Sequence, residues 1–93
     1  MLFGTKTAAE KRSGFRKALY SGKLLQLPGA HEPIVARIVE EQGFDGIYIS
    51  GGALSAAMAM PDIGLTTLTE VTQRGRQIAR VTDLPALIDL DTG

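Results

Sequence analysis

The chain of 93 residues contains no cysteine, and aromatic side chains make up only 5% of it. Without cysteine these residues can hold no disulfide framework, no zinc-thiolate site and no thiol nucleophile. No sign of charge dominates, because ten Lys and Arg offset ten Asp and Glu. A balanced chain has no global field to draw it to nucleic acid or to an anionic membrane. Long apolar runs are missing as well, and nothing approaches the ~18 residues of a membrane span. Met1 to Thr5 lacks the charged and apolar blocks of a signal peptide. The expected setting is cytoplasmic, with neither membrane nor nucleic acid as partner.

What is present is ordinary for a folded domain: 44% hydrophobic residues in short runs and 22% charged residues spread throughout. From Thr7 to Tyr20 the apolar spacing of Ala8, Phe15, Ala18 and Leu19 predicts a helix that stops at Ser21-Gly22. The basic cluster Lys6, Lys11, Arg12, Arg16 and Lys17 reads better as a solvated helix face than as a phosphate-binding surface. Leu24 to Leu27 is a short predicted strand closed by Pro28-Gly29. A second helix starts near Pro33, where the missing N–H costs nothing, and ends at Gly43.

Gly46 to Ser50 is a predicted strand, with Ile47 and Ile49 on one face and Tyr48 and Ser50 on the other. Gly52 to Met60 is a short helix or a lid. Thr67-Leu68-Thr69-Glu70 has the spacing of a capping box that opens another helix, and Ala86 to Leu90 is the last predicted strand. Strands alternating with helices imply βα units on a parallel sheet. The expected class is α/β: about the first three βα units of a (β/α)8 barrel, preceded by a helix. A whole barrel runs to ~250 residues, so residues 1–93 are expected to be the N-terminal part of a single barrel domain that stops after its third strand.

In such a barrel the chemistry sits at the C-terminal ends of the strands. Asp89 and Asp91, one residue apart on a strand, would share a face and repel each other unless a cation or several donors compensate. Oxygen ligands without His or Cys suit Mg2+, with Mn2+ as an alternative. The competing reading makes one a helix cap and the other a solvated loop residue. Ser50-Gly51-Gly52 at the end of the preceding strand lets backbone N–H groups approach a ligand, although a plain turn needs the same residues. Asp62 could reach a metal's water shell or form an Asx turn. His31 is more simply structural or exposed, and Met58 and Met60 more simply pack.

Three runs in order carry a resemblance: Gly43 to Gly52, Met60 to Leu68 with its Pro-Asp-Ile-Gly-Leu-Thr-Thr-Leu segment, and Leu84 to Gly93. Together they resemble the isocitrate lyase and phosphoenolpyruvate mutase superfamily, and within it the methylisocitrate lyase branch. The resemblance implies a (β/α)8 barrel and Mg2+-dependent cleavage of 2-methylisocitrate to pyruvate and succinate in the methylcitrate cycle of propionate catabolism. It also implies a small carboxylic acid substrate and homo-oligomeric full-length relatives.

Carried over by position, Ser50, Gly51 and Gly52 would hold the α-keto acid, with Tyr48 beside them. Asp89 and Asp91 would hold Mg2+, and Asp62 would support its water shell. Leu90 departs from the small residue usual between the two aspartates. The family's catalytic cysteine, in a Lys-Lys-Cys-Gly-His loop, has no counterpart in the chain, so the 93 residues alone are expected to be inactive. Alternatives are another superfamily enzyme, such as a phosphonomutase or an oxaloacetate decarboxylase, and a non-catalytic piece that pairs its open strand edge with another chain.

Overall fold

A computed structural model describes residues 2–91 of the chain. The order of elements is α1 (Ala8–Leu19), α2 (Pro33–Glu41), β1 (Ile47–Ile49), α3 (Gly51–Ala57), α4 (Leu68–Ala79) and β2 (Ala86–Ile88). Both 12-residue helices, α1 and α4, open on a capping box. Thr67 Oγ1 accepts from the Glu70 N–H at 3.1 Å while Glu70 Oε1 accepts from the Thr67 N–H at 3.0 Å. Thr7 and Glu10 make the same reciprocal pair at the start of α1, from a Thr-x-x-Glu signature that the sequence reading passed over. Pro33 begins α2 as expected, and Gly43, at φ 82°, reverses the chain after it.

β1 and β2 pair in parallel with Ile47 opposite Ala86, Tyr48 opposite Leu87 and Ile49 opposite Ile88. Ile47 and Ile49 turn toward the helices and are buried with Ala36, Val39, Leu54, Val71 and Ile78. Full burial of an isoleucine side chain contributes about 1.5–3 kcal/mol, so this single face of β1 anchors α2, α3 and α4 to the sheet. Tyr48 and Leu87 occupy the opposite face, where Leu87 is 50% exposed.

None of the three predicted strands reaches its expected length, and β1 keeps only Ile47–Ile49 of Gly46 to Ser50. The segment from Leu24 to Leu27 forms no strand; the chain touches the sheet only at Gly29, in a single parallel bridge to Tyr48. There the Tyr48 N–H donates to the Pro28 carbonyl and the Ala30 N–H donates to the Tyr48 carbonyl, both at 2.9 Å. Pro28 has no N–H to extend the ladder, so one bridge remains where a strand was expected. β2 ends at Ile88, because Asp91 takes a left-handed conformation at φ 51° and turns the chain away from the sheet.

At the N-terminal end of the sheet a strap formed by Phe3 to Lys6 is tied to the loop before β2. Asp83 accepts from the Thr5 N–H, the Thr5 hydroxyl at 2.9 Å and the Lys6 N–H at 2.8 Å. Its own N–H donates to Glu40 Oε2 on α2 at 2.8 Å. Gly4 is required here, since a Cβ would stand 2.6 Å from the Thr82 carbonyl oxygen.

Candidate active site at the carboxyl ends of the strands

Ser50 leaves β1 and caps α3, its hydroxyl accepting from the Ala53 N–H at 3.3 Å. The sharp entry into α3 brings Gly51 beneath the end of β2. A Cβ on Gly51 would lie 3.5 Å from the Asp89 carbonyl oxygen and 3.6 Å from Asp89 Oδ2. The Asp89 carboxylate therefore rests against the backbone of the Ser-Gly-Gly turn.

Gly52 admits a second carboxylate. A Cβ there would stand only 3.1 Å from Asp62 Oδ2, with Ser50 Oγ at 3.8 Å. Asp62 reaches this position because Ala59 at φ 57° and Gly64 at φ 79° fold the segment after α3 back on itself. The Met60 N–H, donating to the Ser55 carbonyl at 2.9 Å, pins the return. Thus Ser50, Gly51, Gly52, Asp62 and Asp89, spread over forty positions in sequence, meet at one end of the sheet.

The Asp89 N–H donates to the Ile49 carbonyl at 3.0 Å and makes the last rung between the strands. Beyond it the geometry departs from expectation. Asp89 and Asp91 do not share the face of one strand, since the strand has ended. Instead, Asp89 Oδ1 accepts from the Asp91 N–H at 2.9 Å, an Asx turn that neither the metal reading nor the cap reading of this pair anticipated. Both aspartates still line one small cleft of about 110 Å3 together with Gly51, Thr66 and Leu90. Leu90 shares that lining with Leu68 and Val71 of α4. Thr66, half-buried at this cleft, belongs to the Pro-Asp-Ile-Gly-Leu-Thr-Thr-Leu segment that carries the resemblance but is not among the candidate site residues read from it. Tyr48 stays half-buried on the sheet face below. His31 is exposed, with Nε2 3.7 Å from Glu32 Oε1.

The electrostatics at this end are unbalanced. Among the described residues no Lys or Arg pairs with Asp62, Asp89 or Asp91, and Asp62 accepts no hydrogen bond. No set of three His, Cys, Asp or Glu closes into a full metal cage among the described residues. An oxygen-only, incomplete set is nevertheless what Mg2+ accepts, since it keeps several waters and takes one or two carboxylates plus substrate oxygens. The donor types therefore fit a hard divalent cation. No helix among the described residues is long and apolar enough to cross a membrane.

Comparison with known proteins gives the family and the fold. The sequence profile of the family described as phosphoenolpyruvate phosphomutase matches residues 15–93. The chain is 54% identical over 93 residues to probable 2-methylisocitrate lyase 2 of Corynebacterium glutamicum, covering 99% of the chain and 30% of that relative. It is 43% identical over 79 residues to 2-methylisocitrate lyase of Bacillus subtilis, covering 85% of the chain and 26% of that relative. Among solved structures, phosphonopyruvate hydrolase in complex with oxalate and Mg++ superposes with a TM-score of 0.82 at 38% identity, over 86% of the chain and 28% of its own. The chain thus spans less than a third of the length of each of these proteins.

Proposed function

The chain belongs to the phosphoenolpyruvate phosphomutase family, and from that premise we propose that it supplies the metal and keto-acid half of a carbon–carbon lyase site acting on 2-methylisocitrate. The observation that carries the reading is the approach of two carboxylates lacking any paired Lys or Arg, Asp62 and Asp89, to the adjacent glycines Gly52 and Gly51. The names of the lyase relatives support the substrate, and the Mg++ and oxalate of the solved neighbour support the cation.

Cleavage of 2-methylisocitrate gives pyruvate and succinate: the hydroxyl loses its proton, the alkoxide oxygen becomes the pyruvate carbonyl as the carbon–carbon bond breaks, and the bonding pair leaves on the succinate carbon, which then takes a proton. Asp89 and Asp91 would hold Mg2+, with Asp62 toward its water shell, and the ion would supply positive charge to the alkoxide oxygen and the adjoining carboxylate. The first N–H groups of α3, those of Gly51 and Gly52, have no acceptor within their own helix. They donate to the keto-acid carboxylate and fix its plane. Ser50 adds a hydroxyl at the same edge, and Tyr48 walls the pocket from the sheet. Donors aimed at the alkoxide, whose charge is absent from the bound hydroxy acid, stabilise the path to bond breaking more than the ground state. The proton needed on the succinate side comes from outside these 93 residues, which hold no cysteine; the 93 residues by themselves are inactive in this reading.

The solved phosphonopyruvate hydrolase neighbour favours one second reading, action on a phosphonate keto acid through the same half-site. The test is direct. Protein carrying this chain is supplied with 2-methylisocitrate and Mg2+, and pyruvate is followed by coupled reduction. Pyruvate formation that stops with EDTA supports the lyase. Phosphate release from phosphonopyruvate, with no pyruvate from 2-methylisocitrate, moves the assignment to the second reading.

A further inference from the structure

Half of the chain's ten Lys and Arg residues line one concavity, far from the candidate active site. Lys6 from the strap, Lys11 and Arg12 from α1, and Arg76 and Arg80 from α4 surround a cleft of about 620 Å3 at the N-terminal end of β2. No carboxylate lines it. In a chain of zero net charge, this is a marked segregation of sign.

The nearby carboxylates are turned to other work, Glu10 accepting from the Thr7 N–H and hydroxyl. Asp83 is occupied by the Thr5 and Lys6 backbone and the Thr5 hydroxyl, and Glu40 by the Asp83 N–H. Among the described residues, the side chains of Lys6, Arg12 and Arg76 have no acidic partner. The cleft is also shaped in advance. The Arg80 guanidinium stands 5.0 Å over the Phe3 ring, Lys11 Nζ donates to the Ala79 carbonyl at 2.8 Å, and Asp83 holds the strap that carries Lys6. Guanidinium groups suit phosphate oxygens, to which they can donate two parallel hydrogen bonds, and here Arg80 is held in place while Arg12 and Arg76 lie exposed beside it.

We propose that the cleft between the strap, α1 and α4 binds a compact polyphosphate, at the end of the sheet opposite the candidate active site. Such a ligand carries enough negative charge to engage several of the five cations at once. It could be a free polyphosphate or the phosphate chain of a nucleotide, and the phosphate chain is the chemistry the cleft recognises.

The test titrates tripolyphosphate, and in a parallel arm ATP, into protein carrying this chain by calorimetry at low and moderate salt. Binding that weakens with salt is expected. The double substitution R12Q/R76Q should weaken it by about tenfold or more, as the loss of charge-assisted hydrogen bonds implies. R16Q/K17Q, on α1 but outside the cleft, should leave it nearly unchanged, and R12K/R76K should recover part of it. Equal binding in both arms assigns recognition to the phosphates alone, and tighter ATP binding adds the nucleoside. Absence of binding, or equal weakening by both glutamine pairs with circular dichroism showing each folded, overturns the proposal.

Discussion

The two ends of the short parallel sheet treat their aspartates in opposite ways. At the N-terminal end, Asp45 accepts from the Gln26 N–H at 2.9 Å and from Lys23 Nζ at 3.0 Å, and Asp83 accepts three donors from the strap. Backbone N–H groups, with the help of Lys23 and of Lys11 respectively, hold both carboxyls below the ordinary aspartate value. At the C-terminal end, Asp89 accepts one backbone N–H and Asp62 none among the described residues. A carboxylate saturated by its own protein is structural. One left short of donors, against a glycine that admits it, has capacity for a cation or its waters. The division follows the general barrel pattern of stability at the bottom and chemistry at the top.

Exchanging the test residues between the two ends gives the largest effect. Asp89→Ala should lower Mg2+-dependent pyruvate formation by about 100-fold or more, the scale seen when an aimed stabilising group is removed. Its cost in stability should be about 1 kcal/mol at most, the worth of the single Asp91 N–H bond that is given up. Asp83→Ala should do the reverse, lowering the melting temperature while turnover at saturating substrate holds. Parallel kinetics and thermal melts of both variants check this. If Asp89→Ala melts early and turns over normally, the comparison fails.

A weaker contrast appears in acid. Asp45, Glu70 and Asp83 have folded-state pKa values below their ordinary 3.8, 4.5 and 3.8. Their charged forms are favoured by the fold, so the stability they contribute is complete above those ordinary values. It is lost as pH falls through the lower folded values. Urea unfolding followed between about pH 5 and pH 2 should therefore show stability declining on the acid side. Asp83→Asn should flatten that decline, because the strap loses its titrating anchor. An unchanged slope would mean that the strap bonds contribute nothing to the fold's free energy in solution.

How much of this arrangement was legible depends on how local its cause is. The capping box at Thr67, the proline start of α2, the glycine after it and the two-residue alternation of Ile47 and Ile49 are decided within a few residues, and all were readable. The meeting of Ser50, Gly51 and Gly52 with Asp89 followed from strand order alone. The paired-strand placement of Asp89 and Asp91 was not legible, because the left-handed turn at Asp91 depends on a hydrogen bond back to Asp89 that spacing does not reveal. The strand at Leu24 to Leu27 misread as regular because its apolar run gives no sign that Pro28 limits the ladder to one bridge. The strap at Asp83 was invisible, and of the basic cleft only Lys6, Lys11 and Arg12 showed, as a cluster read as a solvated helix face, since Arg76 and Arg80 join them from more than sixty positions away.

The finest probe of the comparison is Gly52→Ala. The added methyl would stand 3.1 Å from Asp62 Oδ2, the tip of a side chain on an exposed loop, so the loop can yield without strain on the sheet. Alanine also suits a helix better than glycine by about 0.5–1 kcal/mol. The expected outcome is a fold as stable as the parent or slightly more so, with Asp62 pushed off the Ser-Gly-Gly turn. If Asp62 serves the water shell of a bound cation, the Mg2+ concentration needed for half-maximal pyruvate formation should rise severalfold while the melt stays put. Should the melt fall and the Mg2+ requirement stay the same, Gly52 belongs with Gly4 among the glycines demanded by packing, and Asp62 is a turn residue rather than part of the site.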